Sequence, residues 1–403
     1  MMKARSRMAG LAVALSLGAC AAPGSMATGD SPHAEPWGRT RAGVAVDKVR
    51  LRNRLGMQVA YIDYGATLTE LVVPDREGRL ANVVLSVPTL AAFEANQRRY
   101  GAEIGRYAGR IDHARFVLDG LVVQLQPNAK GVYLHADPDG FDRRVWSRRD
   151  FSEADSLGSV FTMDSPAGDQ HFPGHLRMEV TYRLARAHNE LCIEYRAETD
   201  APTVLNPTNH VFLNLAGAGS HGLAGHSFTI AADRYAATDA RRIPTGALLD
   251  VTGTVLDFRR PADVIGRLAS GDALLGQPAG FDHSLVFSGW DGRLRPVLRV
   301  DDATSGRRLD LSTTEPSAQF NAGSGFDGGE LGSEGRAYER GDGFAFETQH
   351  LPDSPNHPNF PSTRLDPGQR FESRTCYVFG TSSTRPGDGR VIPGESGRGT
   401  GGF

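Results

Sequence analysis

The feature that most constrains the fold is a pair of neighbouring segments in which apolar and polar residues alternate. In residues 178–184, Met, Val, Tyr and Leu alternate with Glu, Thr and Arg, and residues 191–197 repeat the pattern with Leu, Ile, Tyr and Ala. A period of two places all the apolar side chains of a strand on one face. A polar turn at residues 186–189 joins the segments. The pair therefore predicts an antiparallel hairpin with one buried face.

Strand and turn signals recur along most of the chain, while helical periodicity is nearly absent. Strand-like runs bounded by turn residues lie at residues 44–51, 58–64, 68–73 and 82–87, and a second hairpin joins 297–300 to 308–313. Only residues 89–97 favour a short helix. The length of 403 residues allows one large β domain. The sequence predicts an all-β fold, a single large antiparallel β-sandwich spanning residues 44–380.

The N-terminal residues have the pattern of a bacterial export signal. Three cations among the first seven residues precede an apolar run at residues 11–17. The sequence Leu-Gly-Ala-Cys then resembles the lipobox of lipoproteins, so Cys20 is predicted to become the lipidated mature N-terminus. Ordinary cleavage near residues 19–21 is the alternative. We expect an exported, periplasmic protein, anchored to the envelope by its lipid and a flexible linker at residues 21–43.

The charge balance argues against a nucleic-acid partner. The 47 Asp and Glu residues slightly exceed the 44 Lys and Arg residues, and no basic cluster is present in the sequence. No long apolar span follows the N-terminal segment, so the lipid anchor is the only membrane contact expected. The expected partner is a small, neutral molecule.

Two further cysteines, Cys192 and Cys376, lie in apolar, strand-like runs. An exported protein could join them in a disulfide, but this context favours two separately buried thiols. Residues 381–403 are rich in Gly, Ser and Pro and contain few apolar side chains. That composition predicts a disordered tail.

Several ionisable side chains occupy unusual places in this strand-rich sequence. Glu347 follows the apolar run at residues 344–346 and precedes a Pro-rich loop, so a rigid strand would present its carboxylate to a cavity. His210 lies within NPTNHVFLNL, where a buried imidazole needs a partner or a cavity. The other polar residues in apolar or Gly-rich settings are Arg110, His135, Asp257 and Gln319.

These residue types indicate acid/base chemistry on a polyol. The sequence contains no HExxH or CxxC metal-binding pattern, no phosphate-binding loop and no GxSxG nucleophile elbow. A Glu and a His can accept and donate protons, while Arg, Asp and Gln suit hydrogen bonds to hydroxyl groups. We therefore expect neither a metal nor a cofactor.

Together these motifs resemble the aldose 1-epimerase (galactose mutarotase) family, and the likeness runs from about residue 51 to residue 379. The matching motifs, in chain order, are DYGATL (63–68), VPDREG (73–78), GRYAGRI (105–111), LHADPDGFD (134–142), FPG (172–174), NPTNHVFLNL (206–215), GTVLDFR (253–259), GFDHSLVF (280–287), TTEPSAQF (313–320) and FETQHLPDSPNHPNFP (346–361).

The resemblance implies a galactose-mutarotase-type β-sandwich that interconverts the α and β anomers of free aldohexoses, such as glucose and galactose, without a cofactor. Glu347 matches the family's general base, and His210 matches its general acid. The positions that match sugar-binding residues are Arg110, His135, Asp257 and Gln319. For this chemistry we expect the pKa of Glu347 to be raised modestly and His210 to be kept protonated.

Two other functions stay open on the sequence. A non-catalytic sugar-binding lipoprotein could use the same fold, although the presence of both Glu347 and His210 argues against it. A hexose-6-phosphate 1-epimerase would need a phosphate site, and no Arg/Lys cluster stands near the site motifs. Gly109 occupies a position where the family often has Asn, which removes one hydroxyl contact and bears on sugar preference.

The predicted lipid anchor can be tested directly. We expect Cys20→Ser to block processing or to release the protein from the membrane, because the thiol is the attachment point of the lipid. Membrane fractionation and mass spectrometry of the mature N-terminus measure both effects. A wild-type mature protein that is released from membranes and begins after Cys20 would contradict the prediction.

Overall fold

The computed structural model describes residues 31–136, 138–276, 279–322 and 325–382. The predicted export signal with Cys20, the first part of the predicted linker and nearly all of the predicted tail lie outside these residues. Within them, no helix is long and apolar enough to cross a bilayer.

Strands dominate the described chain and are numbered in sequence order. They are β1 (His33–Arg39), β2 (Ala45–Arg52), β3 (Gln58–Ile62), β4 (Thr67–Pro74), β5 (Leu80–Asn82), β6 (Val84–Leu85), β7 (Glu103–Ile104), β8 (Arg110–Ile111), β9 (Arg115–Leu118), β10 (Leu121–Gln124), β11 (Tyr133–Leu134), β12 (Ser147–Ser152), β13 (Ser156–Ser165), β14 (Leu176–Ala185), β15 (Glu190–Thr199), β16 (Thr203–Val204), β17 (Thr208–Asn209), β18 (Phe212–Leu213), β19 (His226–Ile230), β20 (Ala232–Thr238), β21 (Pro244–Asp250), β22 (Ala262–Asp263), β23 (Asp282–Phe287), β24 (Arg295–Asp302), β25 (Arg307–Thr313), β26 (Ser317–Asn321), β27 (Phe344–Gln349), β28 (Arg364–Leu365) and β29 (Phe371–Thr381). The α-helices are α1 (Leu90–Ala95) and α2 (Val264–Leu268), and short 3₁₀ turns cover Asp112–Ala114, Phe141–Arg143, Asp169–His171, Ala273–Leu275 and Ser354–Asn356.

Three antiparallel sheets account for most of these strands. The largest has the order β12-β13-β14-β15-β29-β25-β24-β19-β22, the second has the order β21-β20-β23-β26-β27-β18-β6, and β1 to β5 form the third. One hydrophobic core contains side chains from all three sheets. The structure confirms the predicted all-β fold of packed antiparallel sheets.

The two clearest local predictions are also confirmed. Strands β14 and β15 pair antiparallel, with Met178 opposite Ala197, and the apolar residues of the alternating pattern are buried. The predicted short helix is α1, where the side chain of Thr89 accepts a hydrogen bond from the backbone N–H of Ala92. That contact satisfies a backbone donor that the first turn of a helix leaves free.

The prediction of a flexible linker up to residue 43 is wrong for the segment His33–Arg39. This segment forms β1, which pairs with β2. The Trp37 ring packs edge-on against Phe93 with 5.8 Å between ring centroids, and the Lys48 ammonium lies 5.7 Å from the Trp37 ring centroid. Partial burial of the Trp37 ring and backbone pairing with β2 hold a segment whose small and polar composition had indicated a tether.

The two distal cysteines are joined in a disulfide, so the prediction of separate thiols is wrong. Cys192 in β15 and Cys376 in β29 are direct cross-strand partners, and their Cα atoms are 4.0 Å apart. The pairing register brings the two sulfur atoms together across 184 residues of sequence. The register of two strands so distant in sequence is not encoded in either apolar run alone.

Removal of this disulfide should destabilise the fold. We expect the double variant Cys192→Ser/Cys376→Ser to lose roughly 2–5 kcal/mol in free energy of unfolding, because the cross-link restricts the unfolded chain. Urea unfolding with and without dithiothreitol measures the effect. The reductant should lower the wild-type midpoint and leave that of the double variant unchanged. A wild-type midpoint that dithiothreitol does not move would contradict the prediction.

Candidate active site

The candidate site lies on one face of the seven-stranded sheet, where β23, β26 and β27 are neighbours. In the register of β26 and β27, Gln319 stands opposite Glu347. Because side chains alternate along a strand, Gln349 shares the face of Glu347, and Asn321 shares the face of Gln319. Asp282 pairs with Asn321 from the adjacent β23. Three strands therefore present their polar side chains to the same cavity.

His210 reaches this cavity from the short backbone segment between β17 and β18. Its backbone N–H donates to the carbonyl of Ala102, and its own carbonyl accepts from the N–H of Gly101, both at 2.9 Å. The imidazole Nε2 lies 3.5 Å from Oε1 of Glu347. The structure thus brings together the predicted acid and the predicted base, which are far apart in sequence.

A buried carboxylate holds the strand that leads into His210. Oε1 of Glu103 accepts hydrogen bonds from Asn209 Nδ2 at 2.9 Å and from the Tyr182 hydroxyl at 2.5 Å, and Oε2 accepts from the Tyr195 hydroxyl at 2.8 Å. Burial outweighs these three hydrogen bonds and raises the pKa of Glu103 to about 7. Nothing in the sequence around Glu103 indicates this role, because its partners come from three other strands.

The cavity has a volume of about 200 Å³, and most of the predicted site residues line it. Those residues are Arg110, His135, His210, Gln319 and Glu347, and they are joined by Gly109, Arg99, Asp282, Asn321 and Gln349. The guanidinium of Arg110 makes no hydrogen bond within the part of the chain that the structure describes, so its donors face the cavity unpaired. The wall therefore combines a proton-transfer pair with groups suited to hydroxyl recognition.

The hydrogen bond to His135 fixes which of its nitrogens can act as a donor. The backbone N–H of Gly109 donates to His135 Nδ1 at 3.2 Å, so the proton of the neutral ring resides on Nε2. Burial and then the nearby charge of Arg99 hold the pKa of His135 well below its ordinary value. His135 is therefore a neutral hydrogen-bond donor at the wall of the cavity.

Asp257 is not among the residues that line the cavity, and its role in sugar binding stays a prediction. Its carboxylate is paired with Arg259, two residues along the chain, at 2.8 Å from Nε to Oδ1 and 2.6 Å from Nη2 to Oδ2. Asp282 lines the cavity instead, accepting from Gln319 Nε2 at 2.6 Å and pairing with Arg242. Burial opposes ionisation of Asp282, but the guanidinium groups of Arg110 and Arg242 outweigh it and hold its pKa below the ordinary value.

Sequence reasoning missed several polar residues of the cavity, among them Arg99, Asp282, Asn321 and Gln349. Gln349 had a usable signal, since β27 continues through it and the period of two from Glu347 places both on one face. Asp282 lies in an apolar context like that of Asp257, and only the fold distinguishes them. Arg99 stands in a loop with a left-handed backbone, φ 54°, which no local pattern indicates.

The pKa values of Glu347 and His210 differ from the expectation that was based on the sequence. Burial, with a smaller contribution from the negative charge of Asp282, raises the pKa of Glu347 to about 8. Burial and then the positive charge of Arg99 lower the pKa of His210 to about 4. At neutral pH the one proton of the pair therefore resides on Glu347, and His210 is neutral. The expectation of a protonated His210 underestimated the cost of burying two charges.

His135, His210 and Glu347 also have the residue types of a metal site, with ligand atoms within 4.8 Å of one another. The tautomer of His135 does not suit a metal. Its Nδ1 already accepts from Gly109, and coordination through Nε2 would require the loss of the remaining ring proton or of that hydrogen bond. The three groups are better matched to hydrogen bonding and proton transfer.

Comparison with known proteins agrees with the fold and the site. Residues 47–378 match the family model described as aldose 1-epimerase. The galactose mutarotase of Rattus norvegicus is 38% identical over 337 residues, which cover 84% of this chain and 95% of that protein. The aldose 1-epimerase of Escherichia coli is 36% identical over 331 residues, covering 82% and 94%.

Among solved structures, an aldose epimerase homologue from C. elegans superimposes with a TM-score of 0.74 at 29% identity. The match covers 82% of this chain and 98% of that one. Since the family model spans most of the folded region and the relatives are similar over nearly their whole length, the chain belongs to the aldose 1-epimerase family.

Proposed function

We propose that this protein interconverts the α and β anomers of free aldohexoses by acid/base-catalysed opening and closing of the sugar ring. The observation that carries the proposal is the contact of 3.5 Å between His210 Nε2 and Glu347 Oε1 in a small cavity. The cavity wall adds donors and acceptors for hydroxyl groups from Arg110, His135 and Asp282. The names of the relatives, galactose mutarotase and aldose 1-epimerase, are consistent with this activity.

The reaction requires one proton to leave the anomeric hydroxyl and one to reach the ring oxygen. In ring opening, the Glu347 carboxylate takes the proton from O1 while the His210 imidazolium gives a proton to O5, and the C1–O5 bond breaks to leave an aldehyde. After rotation about the C1–C2 bond, neutral His210 takes the proton back from O5, and protonated Glu347 returns one to O1 as the ring closes. Each proton transfer of this kind contributes roughly 10²- to 10⁴-fold to the rate.

This cycle moves protons but leaves their number unchanged. The closed ring needs ionised Glu347 and protonated His210, and the open chain needs the reverse. Both states carry one proton on the pair. Burial favours the neutral arrangement, in which Glu347 is protonated and His210 is uncharged. The neutral pair is the state that ring opening leaves behind, so opening removes the charge separation that the closed-ring stage requires.

A proton-transfer pair distinguishes an enzyme from a sugar-binding protein on the same fold. A binding site gains nothing from the cost of burying both Glu347 and His210, since Arg110 and Asp282 already offer hydroxyl contacts. The hydrogen bond that Asn209 donates to Glu103 further fixes the backbone next to His210. This arrangement supports catalysis over binding alone.

A groove beside the cavity favours a second candidate substrate, an aldose carrying an anionic group such as a 6-phosphate. The fold collects four cations there from three separate segments, namely Arg110, Lys130, Arg241 and Arg242. Arg241 is paired with Asp112 and Asp239, and Arg242 with Asp282, so two of the four cations are already neutralised. Free aldoses therefore remain the preferred substrates of the proposal.

We further propose that the protein acts on sugars outside the cytoplasm, in the periplasm, held to the envelope by a lipid on Cys20. The support is the sequence alone, in which a positive segment and an apolar run precede the lipobox-like Leu-Gly-Ala-Cys.

Two substitutions separate the proposed acid and base from the rest of the site. We expect Glu347→Gln to keep sugar binding but to lose nearly all mutarotation above the spontaneous rate, because the amide cannot accept the O1 proton. His210→Asn should lower kcat by about 100-fold or more with little change in KM, since it keeps a donor without a transferable proton. Polarimetry of freshly dissolved α-D-galactose, α-D-glucose and α-D-glucose 6-phosphate measures the rates.

Glu179→Gln is the matched control, because Glu179 lies in β14, away from the cavity, and should leave the rates unchanged. Near wild-type kcat in Glu347→Gln, or in folded His210→Asn, would overturn the assigned roles. If only the phosphorylated sugar is turned over, the substrate is the second candidate, an aldose with an anionic group, and not a free aldose.

A further inference from the structure

One buried side chain of the cavity has no role in the proton transfers. Gln349 is 1% exposed, lies two residues beyond Glu347 on the same face of β27, and lines the cavity. Within the described residues neither its Oε1 nor its Nε2 has a hydrogen-bond partner. A buried carboxamide with no partner costs stability, so its presence in a cavity indicates a group kept for a ligand.

The backbone around Gln349 holds the carboxamide in position. Its carbonyl accepts a hydrogen bond from the Ser317 hydroxyl at 2.6 Å, and β27 pairs with β26 along its length. On the other side lies Gly109 with φ 82°, where an added Cβ would stand 3.4 Å from Gln349 Nε2 and 2.9 Å from Pro352 Cγ. The absence of a side chain at Gly109 keeps the space beside the carboxamide open.

Gln319, which also lines the cavity, provides a contrast. Nε2 of Gln319 donates to Asp282 at 2.6 Å, and its Oε1 accepts from the Ser284 hydroxyl at 2.5 Å. Both ends of that carboxamide are therefore used within the protein, and its main effect is to orient Asp282. Unlike Gln319, the buried Gln349 keeps both its donor and its acceptor available within the described residues.

We propose that Gln349 is a substrate-binding residue that selects the aldose by its hydroxyl groups, and this inference rests on the proposed function. Its Nε2 donates to one hydroxyl oxygen of the sugar, and its Oε1 accepts from the same hydroxyl or from a vicinal one. A hydroxyl both donates and accepts, so it can satisfy the two ends of a carboxamide. A site built to bond a substrate hydroxyl rejects the analogue that lacks it, because the buried protein groups are then left unpaired.

Deoxy sugars test this selection, because each removes one hydroxyl. Mutarotation rates of D-galactose and of its 2-, 3-, 4- and 6-deoxy analogues are measured for wild type and for Gln349→Met, which keeps the side-chain length without the carboxamide. We expect wild type to discriminate against at least one deoxy sugar by roughly 10- to 100-fold in kcat/KM. The variant should lose most of that discrimination for that sugar while the ratios for the others stay the same.

A matched control and a stability measurement separate binding from a structural role. Gln58→Met makes the same change in β3, away from the cavity, and should leave all the ratios unchanged. In urea, Gln349→Met should unfold at the same midpoint as wild type or a higher one, since it removes an unpaired buried polar group. If the methionine variant does not fold, Gln349→Leu, which also lacks the carboxamide, takes its place in the sugar series, with the same loss of discrimination expected.

The outcomes distinguish this inference from the function it rests on. An equal fall in kcat/KM for every sugar, or a lowered urea midpoint with unchanged ratios, would overturn the role of Gln349 and leave the proposed function standing. A wild-type protein that accelerates mutarotation of none of these sugars would instead remove the proposed function itself.

Discussion

The function of the site depends on the contact between the carboxylate of Glu347 and the imidazole of His210, and the other residues of the site position these two groups. Both groups are buried, so each resists its own charged form, and the pKa of Glu347 rises to about 8 while that of His210 falls to about 4. Between those values the pair holds one proton that can move between the two partners. Ring opening and ring closing of an aldose require that same number of protons.

The surrounding sheets hold these two side chains against each other and bury them. β27 presents Glu347 from the seven-stranded sheet, and the segment between β17 and β18 presents His210 against it. Glu103 holds the backbone next to His210 through Asn209, while Arg110 and Arg242 keep Asp282 ionised nearby. The negative charge of Asp282 in turn adds to the raised pKa of Glu347. Fold and electrostatics thus act on the same pair.

Local patterns in the sequence were sufficient for much of the fold and the centre of the site. The alternation at residues 178–197 predicted the β14–β15 hairpin, and Glu347 and His210 were identified by motifs that the structure brings together. Features set by long-range register were missed, as with the disulfide of Cys192 and Cys376. Asp282 was missed, and only the fold shows that it lines the cavity while Arg259 pairs with Asp257.

The central claim, that a buried pair sharing one proton carries the reaction, is tested most directly by the pH dependence of kcat/KM for D-galactose. The activity requires the singly protonated pair, so we expect a plateau that falls on the acid side near pH 4, where His210 gains a proton, and on the basic side near pH 8, where Glu347 loses one. A narrow optimum bounded by the ordinary pKa values of Glu and His, about 4.3 and 6.5, would contradict the account.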